Sequence, residues 1–431
     1  MGRVLTILLI VLFIGLGCSD SSNPSNPTGQ PNSGPGRTPA QLTEHEQELV
    51  GSCNKFAFNL FREVLRNADP GENVFISPLS VSYALGIALN GAEGETRDSI
   101  AATLEVLGIP PDELNQAYHD LTAILAHSDP KIALELANSF WSRKGKTIQP
   151  DFIDICSEFF DARVEEIDFQ APWAADTINA WVSNATHGKI EEMVTPPISG
   201  DVAAMLFNAI YFKGNWRFPF DTANTRTTQF HLNDGSEVSC EMMLLPRKDH
   251  SMGDPFNPLP DTSATYFSTD NLQCVNLPYG DHGYRMTIIV PYGSMTADSL
   301  VAILSTDTWV SWLDGSYAEE FDLSLPKFRF EFEQDLSSIL QLLGMAVAFD
   351  PSKADFSELF SDGIGWIDEV KQKAFVQVDE KGTEAAAVTQ VMYADSMPPP
   401  VVADHPFLFV IHEKDSGAIL FMGRLAEPVW E

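Results

Sequence analysis

Leu49, Val50, Cys53, Phe56, Ala57, Leu60, Phe61 and Val64 recur at spacings of three and four, which predicts a helix with one apolar face. Thr43 followed by Glu46 forms a capping box at its front, so the folded part begins near Thr43. Cys53 lies on the apolar face and reads as a core residue. The segment Asn73 to Ser77 leads through Pro78 into a second helix, with Val81, Ala84, Leu85 and Ala88 on one side. Further helical stretches are predicted near 111–126, 149–159, 174–185 and 332–343. Strand-like runs occur at 202–212, 272–278, 284–291, 320–330, 373–379, 406–412 and 418–423. Helices and mostly antiparallel-looking strands mix without β–α–β alternation and without an internal repeat, which predicts an α+β fold.

The chain upstream follows a different pattern. Val4 to Gly17 is almost wholly apolar, follows Arg3 and stops at Cys18. It is too short to cross a bilayer comfortably as a helix, and a basic start with a short apolar run reads as a signal peptide. The Gly17-Cys18 junction resembles the bacterial lipoprotein signal, which implies lipidation of Cys18, although Gly15 stands where that signal usually has Leu. The alternative is an ordinary secretory signal with an incidental cysteine. Ser19 to Ala40 consists mainly of Ser, Asn, Pro and Gly and has no apolar period, so it reads as a flexible tether. The expected organisation is a signal peptide at 1–17, a lipidated Cys18 with its tether at 18–40, and one domain at 41–431. The expected location is the cell envelope, reached by export across the inner membrane. Ser19 is compatible with the outer membrane or cell surface, and an extracellular location is the alternative.

Composition narrows the function. Sixty acidic against 26 basic residues give a formal charge of −34 over 431 residues, which argues against nucleic acid as a partner. The five cysteines show no CxxC spacing and do not form a disulfide framework in a chain this long. The nine histidines show no metal-ligand spacing, and neither HExxH nor GxSxG occurs. Gly145 to Thr147 lacks the upstream glycine of a phosphate loop. No cofactor, metal or catalytic constellation is expected.

The segment from Glu380 to Asp404 is longer than an ordinary connection. Its first half alternates: Thr383, Ala385, Ala387 and Thr389 are small, with Glu384, Ala386, Val388 and Gln390 between them. Such a segment can form a strand with one face fitted to a tight interior, and Gly382 gives it a hinge. Ala and Glu equally suit a short helix in a surface loop. EKGTEAAAVT closely resembles the reactive-loop hinge of the serpins. NVFISPLSVSYALGIALNGAEGETRDSI (73–100), ANSFW (137–141), INAWVSNATHGKI (178–190), NAIYFKGNWRFPFD (208–221), LPYG (277–280), LPKFRFE (325–331), LGMAVAFDPSKADFS (343–357), ADHPFLFVI and LFMGRLAEP follow in that family's order.

The resemblance implies a serpin fold of three β-sheets, about eight to nine helices and an exposed reactive-centre loop at about 380–403. It implies an inhibitor, not an enzyme. A protease attacks the loop and becomes acylated, and the cut loop inserts into the large sheet as a strand. The hinge residues are Glu380, Gly382, Thr383, Glu384, Ala385, Ala386, Ala387, Val388 and Thr389. Between Gly382 and Gln390 the inward-facing set carries neither charge nor proline, which favours insertion. Family spacing puts the reactive bond at Ser396-Met397, suited to elastase-like or subtilisin-like enzymes. Alignment from the prolines puts it at Asp395-Ser396. No Lys or Arg lies between Thr383 and Ala403 to bait a trypsin-like enzyme. Ser77, Ser80, Asn208 and Gln372 match the shutter under the sheet, with Gln372 where many serpins have His. The helix expected at 111–126 has no Lys or Arg, so no heparin-type site is expected. The expected partner is a target serine protease held covalently, with membrane contact through Cys18 and a monomeric state. The alternatives are a cysteine-protease or Asp-specific-protease inhibitor, or a non-inhibitory serpin-fold binding protein.

Overall fold

The computed structural model describes residues 4–14, 41–246, 264–318, 321–363, 365–381 and 399–430. Helices and strands are numbered along the chain. The helices are α1 (Glu44–Asn67), α2 (Pro78–Asn90), α3 (Gly94–Thr103), α4 (Pro111–His127), α5 (Pro150–Phe160), α6 (Ala174–Ala185), α7 (Ala297–Ile303), α8 (Thr306–Asp314) and α9 (Ser337–Leu340).

Three sheets organise the strands. The six-stranded sheet runs β13 (Phe328–Asp335), β14 (Trp366–Val378), β1 (Val4–Ile14), β5 (Val202–Lys213), β3 (Ala133–Arg143), β4 (Ala162–Ile167). The seven-stranded sheet runs β11 (Tyr317–Ala318), β8 (Thr265–Ser268), β9 (Leu272–Pro278), β10 (Tyr284–Pro291), β16 (Phe407–Glu413), β17 (Ile419–Leu425), β2 (Val74–Ile76). The four-stranded sheet runs β15 (Val401–Val402), β12 (Leu323–Pro326), β7 (Glu237–Leu245), β6 (Arg226–His231). β3, α5 and β4 form one β–α–β unit, with β3 and β4 parallel neighbours, but the pattern does not repeat along the sheets, so the class is α+β.

The α1 expectation holds in detail. Thr43 and Glu46 form the capping box, and every predicted apolar position from Leu49 to Val64 is buried. Helix α2 was expected to have one apolar side, but all twelve residues from Pro78 to Leu89 are buried. It is a core helix lying between the six-stranded sheet and β17. A helix that is apolar on all sides belongs inside.

The helix expected at 332–343 starts late: residues through Asp335 belong to β13, α9 covers Ser337–Leu340, and a wider helical turn continues it over Gln341–Met345. The segment FRFEFEQD alternates: Phe328, Phe330 and Phe332 are buried, while Glu331 and Glu333 pair outward with Lys373 and Lys371 of β14. Period-two burial outweighed the helix propensity of Glu, Gln and Leu. The run at 320–330 is two strands, separated at Lys327. Strand β14 begins at Trp366, well before the expected 373.

Two cores sit on opposite faces of the large sheet. On one face, Ala204, Leu206, Ile210 and Phe212 of β5 join the main core. On the other, Met205, Phe207 and Ala209 pack with Ile178 and Val182 of α6. Consecutive side chains of a strand point to opposite faces, so β5 is buried on both sides. Behind it, Phe75 stacks between Phe409 and Phe421, with ring centroids 5.7 and 5.4 Å away. Gly423 makes room for this cluster, because a Cβ there would lie 2.2 Å from Phe409. The free cysteines Cys53, Cys156, Cys240 and Cys274 are all buried, so the described residues hold no disulfide between them.

Candidate functional site

The site is the strand position between β5 and β14 in the six-stranded sheet, a slot that β1 occupies, and its walls are β5 and β14. Both pair in parallel with β1, so they run in the same direction. Leu9 is in register with Asn208 on one wall and Gln372 on the other, which sets those two residues level across the slot.

Beneath this level lies the predicted shutter. Asn208 occupies a β5 position whose neighbours Leu206 and Ile210 face the main core. An amide there needs partners, and it has them. The Ser80 hydroxyl donates to Asn208 Oδ1, and Asn208 Nδ2 donates to Asn138 Oδ1 at 2.6 Å. Asn138 Nδ2 in turn donates to the Phe160 carbonyl at 2.8 Å. Ser77 is the N-cap of α2. Its hydroxyl accepts from Ser80 N at 3.2 Å and donates to the Leu420 carbonyl of β17 at 2.7 Å. From the other wall, Gln372 Nε2 donates to the Ser77 carbonyl at 3.0 Å. The first turn of α2 thus ties β14, β5 and β17 together. The structure brings together all four predicted residues, Ser77, Ser80, Asn208 and Gln372, and each is 0% exposed.

Gln372 carries an anomaly. Its Oε1 is buried and has no hydrogen-bond partner. A carbonyl can only accept, so the Ser77 bond fixes the amide nitrogen toward Ser77. The oxygen is therefore the orphan.

The second cluster stands where β14 ends. Trp216 Nε1 donates to the Asp379 carbonyl at 2.9 Å, and Trp216 stacks on Tyr279 at 4.3 Å. Asp379 accepts from Gln377 Nε2 at 3.0 Å and from Lys381 N at 2.9 Å. Glu380, the first hinge residue, is buried. It accepts from Thr225 Oγ1 at 2.7 Å and pairs with Lys327 Nζ at 3.0 Å. Burial alone would raise its pKa. The Thr225, backbone and Lys327 hydrogen bonds, with the Lys327 charge, outweigh burial and hold the carboxyl below the usual glutamate range. The chain therefore leaves the slot through an anchored acidic residue.

The sequence did not single out Asn138, Trp216, Thr225 or Lys327 as site residues. Asn138 lies within ANSFW, Trp216 within NAIYFKGNWRFPFD and Lys327 within LPKFRFE, so their motifs were legible but their partners were not. Gly382, Thr383, Glu384, Ala385, Ala386, Ala387, Val388 and Thr389, the bond residues Asp395, Ser396 and Met397, and Cys18 lie outside the described residues. The expected 373–379 strand and the loop's return at β15 are present, so the loop connects the two ends Lys381 and Pro399. Among the described residues, no group of three or more His, Cys, Asp or Glu could hold a metal ion. No described helix is long and apolar enough to cross a membrane.

A large sheet with one strand position between two parallel walls, set over a buried polar cluster, frames the site. The match to known proteins gives the family. The family model "Serpin (serine protease inhibitor)" matches residues 51–428, and the chain belongs to the serpin family. It is 32% identical to an uncharacterised serpin-like protein of Thermococcus kodakarensis, covering 99% of this chain and 98% of that protein. It is 33% identical to serpin B6 of Pongo abelii, covering 88% of this chain and 99% of that protein. It is also 32% identical to the leukocyte elastase inhibitor of Xenopus tropicalis, covering 89% of this chain and 100% of that protein. Native protease nexin-1, solved with heparin, superposes with a TM-score of 0.77 at 28% identity, covering 89% of this chain and 100% of that one. The thermophilic serpin tengpin in its native state gives 0.76 at 26% identity, covering 90% and 96%. The serpins are mostly protease inhibitors.

Proposed function

We propose that the chain inhibits serine proteases of elastase-like or subtilisin-like specificity by trapping them as acyl-enzymes. The observation that carries this reading is the slot itself. Two parallel walls, β5 and β14, can accept a strand, and the hinge leaves the end of β14 beside it. A loop turning back from Glu380 would run antiparallel to both walls.

The target's serine attacks the Ser396 carbonyl carbon. The amide bond to Met397 breaks, the new amine of Met397 leaves with a proton, and Ser396 remains as an ester on the enzyme. The loop N-terminal to the cut then enters the slot. Thr383, Ala385, Ala387 and Thr389 are small enough for the buried face. Each ladder bond gained contributes about 1 kcal/mol net, so the uncut state is held by a kinetic barrier and not by its depth. The neutral shutter and the Glu380–Lys327 anchor are the contacts that insertion must strain or release. The protein acts as a monomer anchored through lipidated Cys18 at the cell envelope, without a heparin-type activator.

The test uses residues 41–431. Serpin relatives of this length align over their whole chains, so this part is a folding unit. It is incubated with pancreatic elastase, subtilisin, chymotrypsin, trypsin, a caspase and a glutamyl endopeptidase. The expected result is a band at the summed mass that survives denaturant, with a released peptide beginning at Met397. A peptide beginning at Ser396 would move the bond to Asp395-Ser396. Cleavage by every enzyme with no surviving complex would overturn the trapping reading. Ala385→Arg should turn the inhibitor into a substrate that is cut and releases the enzyme, because a charge would then have to enter the sheet.

A further inference from the structure

We infer that the slot between β5 and β14 is a binding site for the chain's own leader, Val4–Ile14, and that a chain retaining this leader cannot trap a protease. The second half of this statement rests on the trapping reading above. The first half stands on the backbone pairing alone.

The pairing is extensive. The eleven residues of β1 are in register with β14 from Val4↔Trp366 to Ile14↔Gln377. They are also in register with β5 from Val4↔Val202 to Ile14↔Lys213. The leader therefore fills nearly the full length of β5, with 12 residues, and β14, with 13. A strand bonded on both sides leaves neither wall with a free edge. Neighbouring strands lie about 4.8 Å apart, so a gap one strand wide cannot hold two. The leader and the loop exclude each other.

Direction separates the two occupants. The leader runs parallel to both walls, whereas the loop, turning back from the end of β14, must run antiparallel. The leader is bonded to a wall on each side and has no free edge to which the loop could add, so the loop must displace it. The ligand class is an extended apolar segment of about eleven residues entering in parallel.

Leu9 separates Asn208 from Gln372, which lie level on opposite walls. Gln372 Oε1 has no partner while the leader fills the slot. The leader's end is well placed to exclude the loop: Ile14 is level with Gln377, three residues before the hinge Glu380.

The test compares the full chain, synthesised without membranes so that residues 1–17 are retained, with the same chain carrying Ile7→Pro, Leu9→Pro and Val11→Pro. Proline removes ladder donors without shortening the chain. Residues 41–431 serve as a second leaderless form. Amide hydrogen exchange is read by mass on peptides of β5 and β14, and protease trapping is read on denaturing gels. In the full chain the slot-facing amides should be protected, and a target protease should cut the loop without forming a complex. In both other forms, exchange of these amides should rise at least about a hundredfold, and complex should appear. Equal exchange in all three forms would overturn the leader site. Protected amides in the full chain together with undiminished trapping would overturn its inhibitory consequence. If no form traps any protease, the exchange result still decides whether the leader occupies the slot, and only the trapping reading fails.

Discussion

At the middle of the slot, Ser77, Ser80, Asn138, Asn208 and Gln372 form a neutral cluster that is almost wholly buried. At its upper end, Glu380, Lys327 and Thr225 form a charged cluster in which the Lys327 side chain is 24% exposed. Both clusters tie β14 to its surroundings, but they respond to different variables. The middle is held by hydroxyls and amides that do not titrate, so pH and salt barely reach it. The end is held by an ion pair whose strength depends on the charge of Glu380. The wall β14 is thus held centrally by geometry and peripherally by charge, and on the proposed mechanism both holds resist an incoming strand.

The largest effect is expected at the centre. Asn208→Ala strips partners from Ser80 and Asn138 in a dry site, and unsatisfied buried groups cost about 1–3 kcal/mol each. Urea unfolding of the variant should show a loss of about 2–4 kcal/mol, with the same slope as wild type. A loss below about 0.5 kcal/mol would mean that the cluster does not hold the wall.

Lys327→Met should cost less, about 1–3 kcal/mol, because Glu380 keeps Thr225 and a backbone N–H. This variant also carries the pH signature. The folded pKa of Glu380 lies below its ordinary value of 4.5. Its contribution is therefore fully present above pH 4.5 and is lost as pH falls through the folded pKa. Wild type should lose stability on acidification in that window faster than Lys327→Met. Parallel acid melts for the two proteins would place the ion pair elsewhere.

A subtler change transfers pH sensitivity to the centre. Gln372→His would put an imidazole in a fully buried position, where desolvation lowers its pKa. Its stabilising contribution would be present above the ordinary histidine pKa of about 6.5 and lost as pH falls below it. The expected outcome is a melting temperature that drops by a few degrees more between pH 7.5 and about 5.5 in the variant than in wild type. His412 already behaves this way in the core: burial lowers its pKa to about 3, so it stays neutral.

How much of this was legible in the chain differs by region. The α1 helix could be read because capping and apolar spacing agree over many turns. Asn208 could be placed only through the resemblance, since a polar residue in an apolar strand says that a partner exists but not which. The hinge-end contacts were invisible for a simpler reason: Trp216 and Asp379 are 163 residues apart, and Thr225 and Glu380 are 155 apart. Residues 332–335 misled because Glu and Gln favour helix, while the alternating phenylalanines favoured the edge of a sheet. Val4 to Ile14 is an apolar run without periodicity, and such a run does not by itself distinguish an export signal from a buried strand. Its pairing partners lie in distant segments, and no local pattern announces them.

Thermal unfolding before and after cleavage measures directly whether the cut loop enters the slot. Residues 41–431 would be cleaved at the Ser396-Met397 bond and melted beside the uncut protein. About 12 new ladder bonds at about 1 kcal/mol each, set against an unfolding entropy of about 2 cal/mol/K per residue, predict a rise of about 15 °C. An unchanged or lower melting temperature would mean that the loop stays outside the sheet, and the proposed trapping mechanism would fall with it.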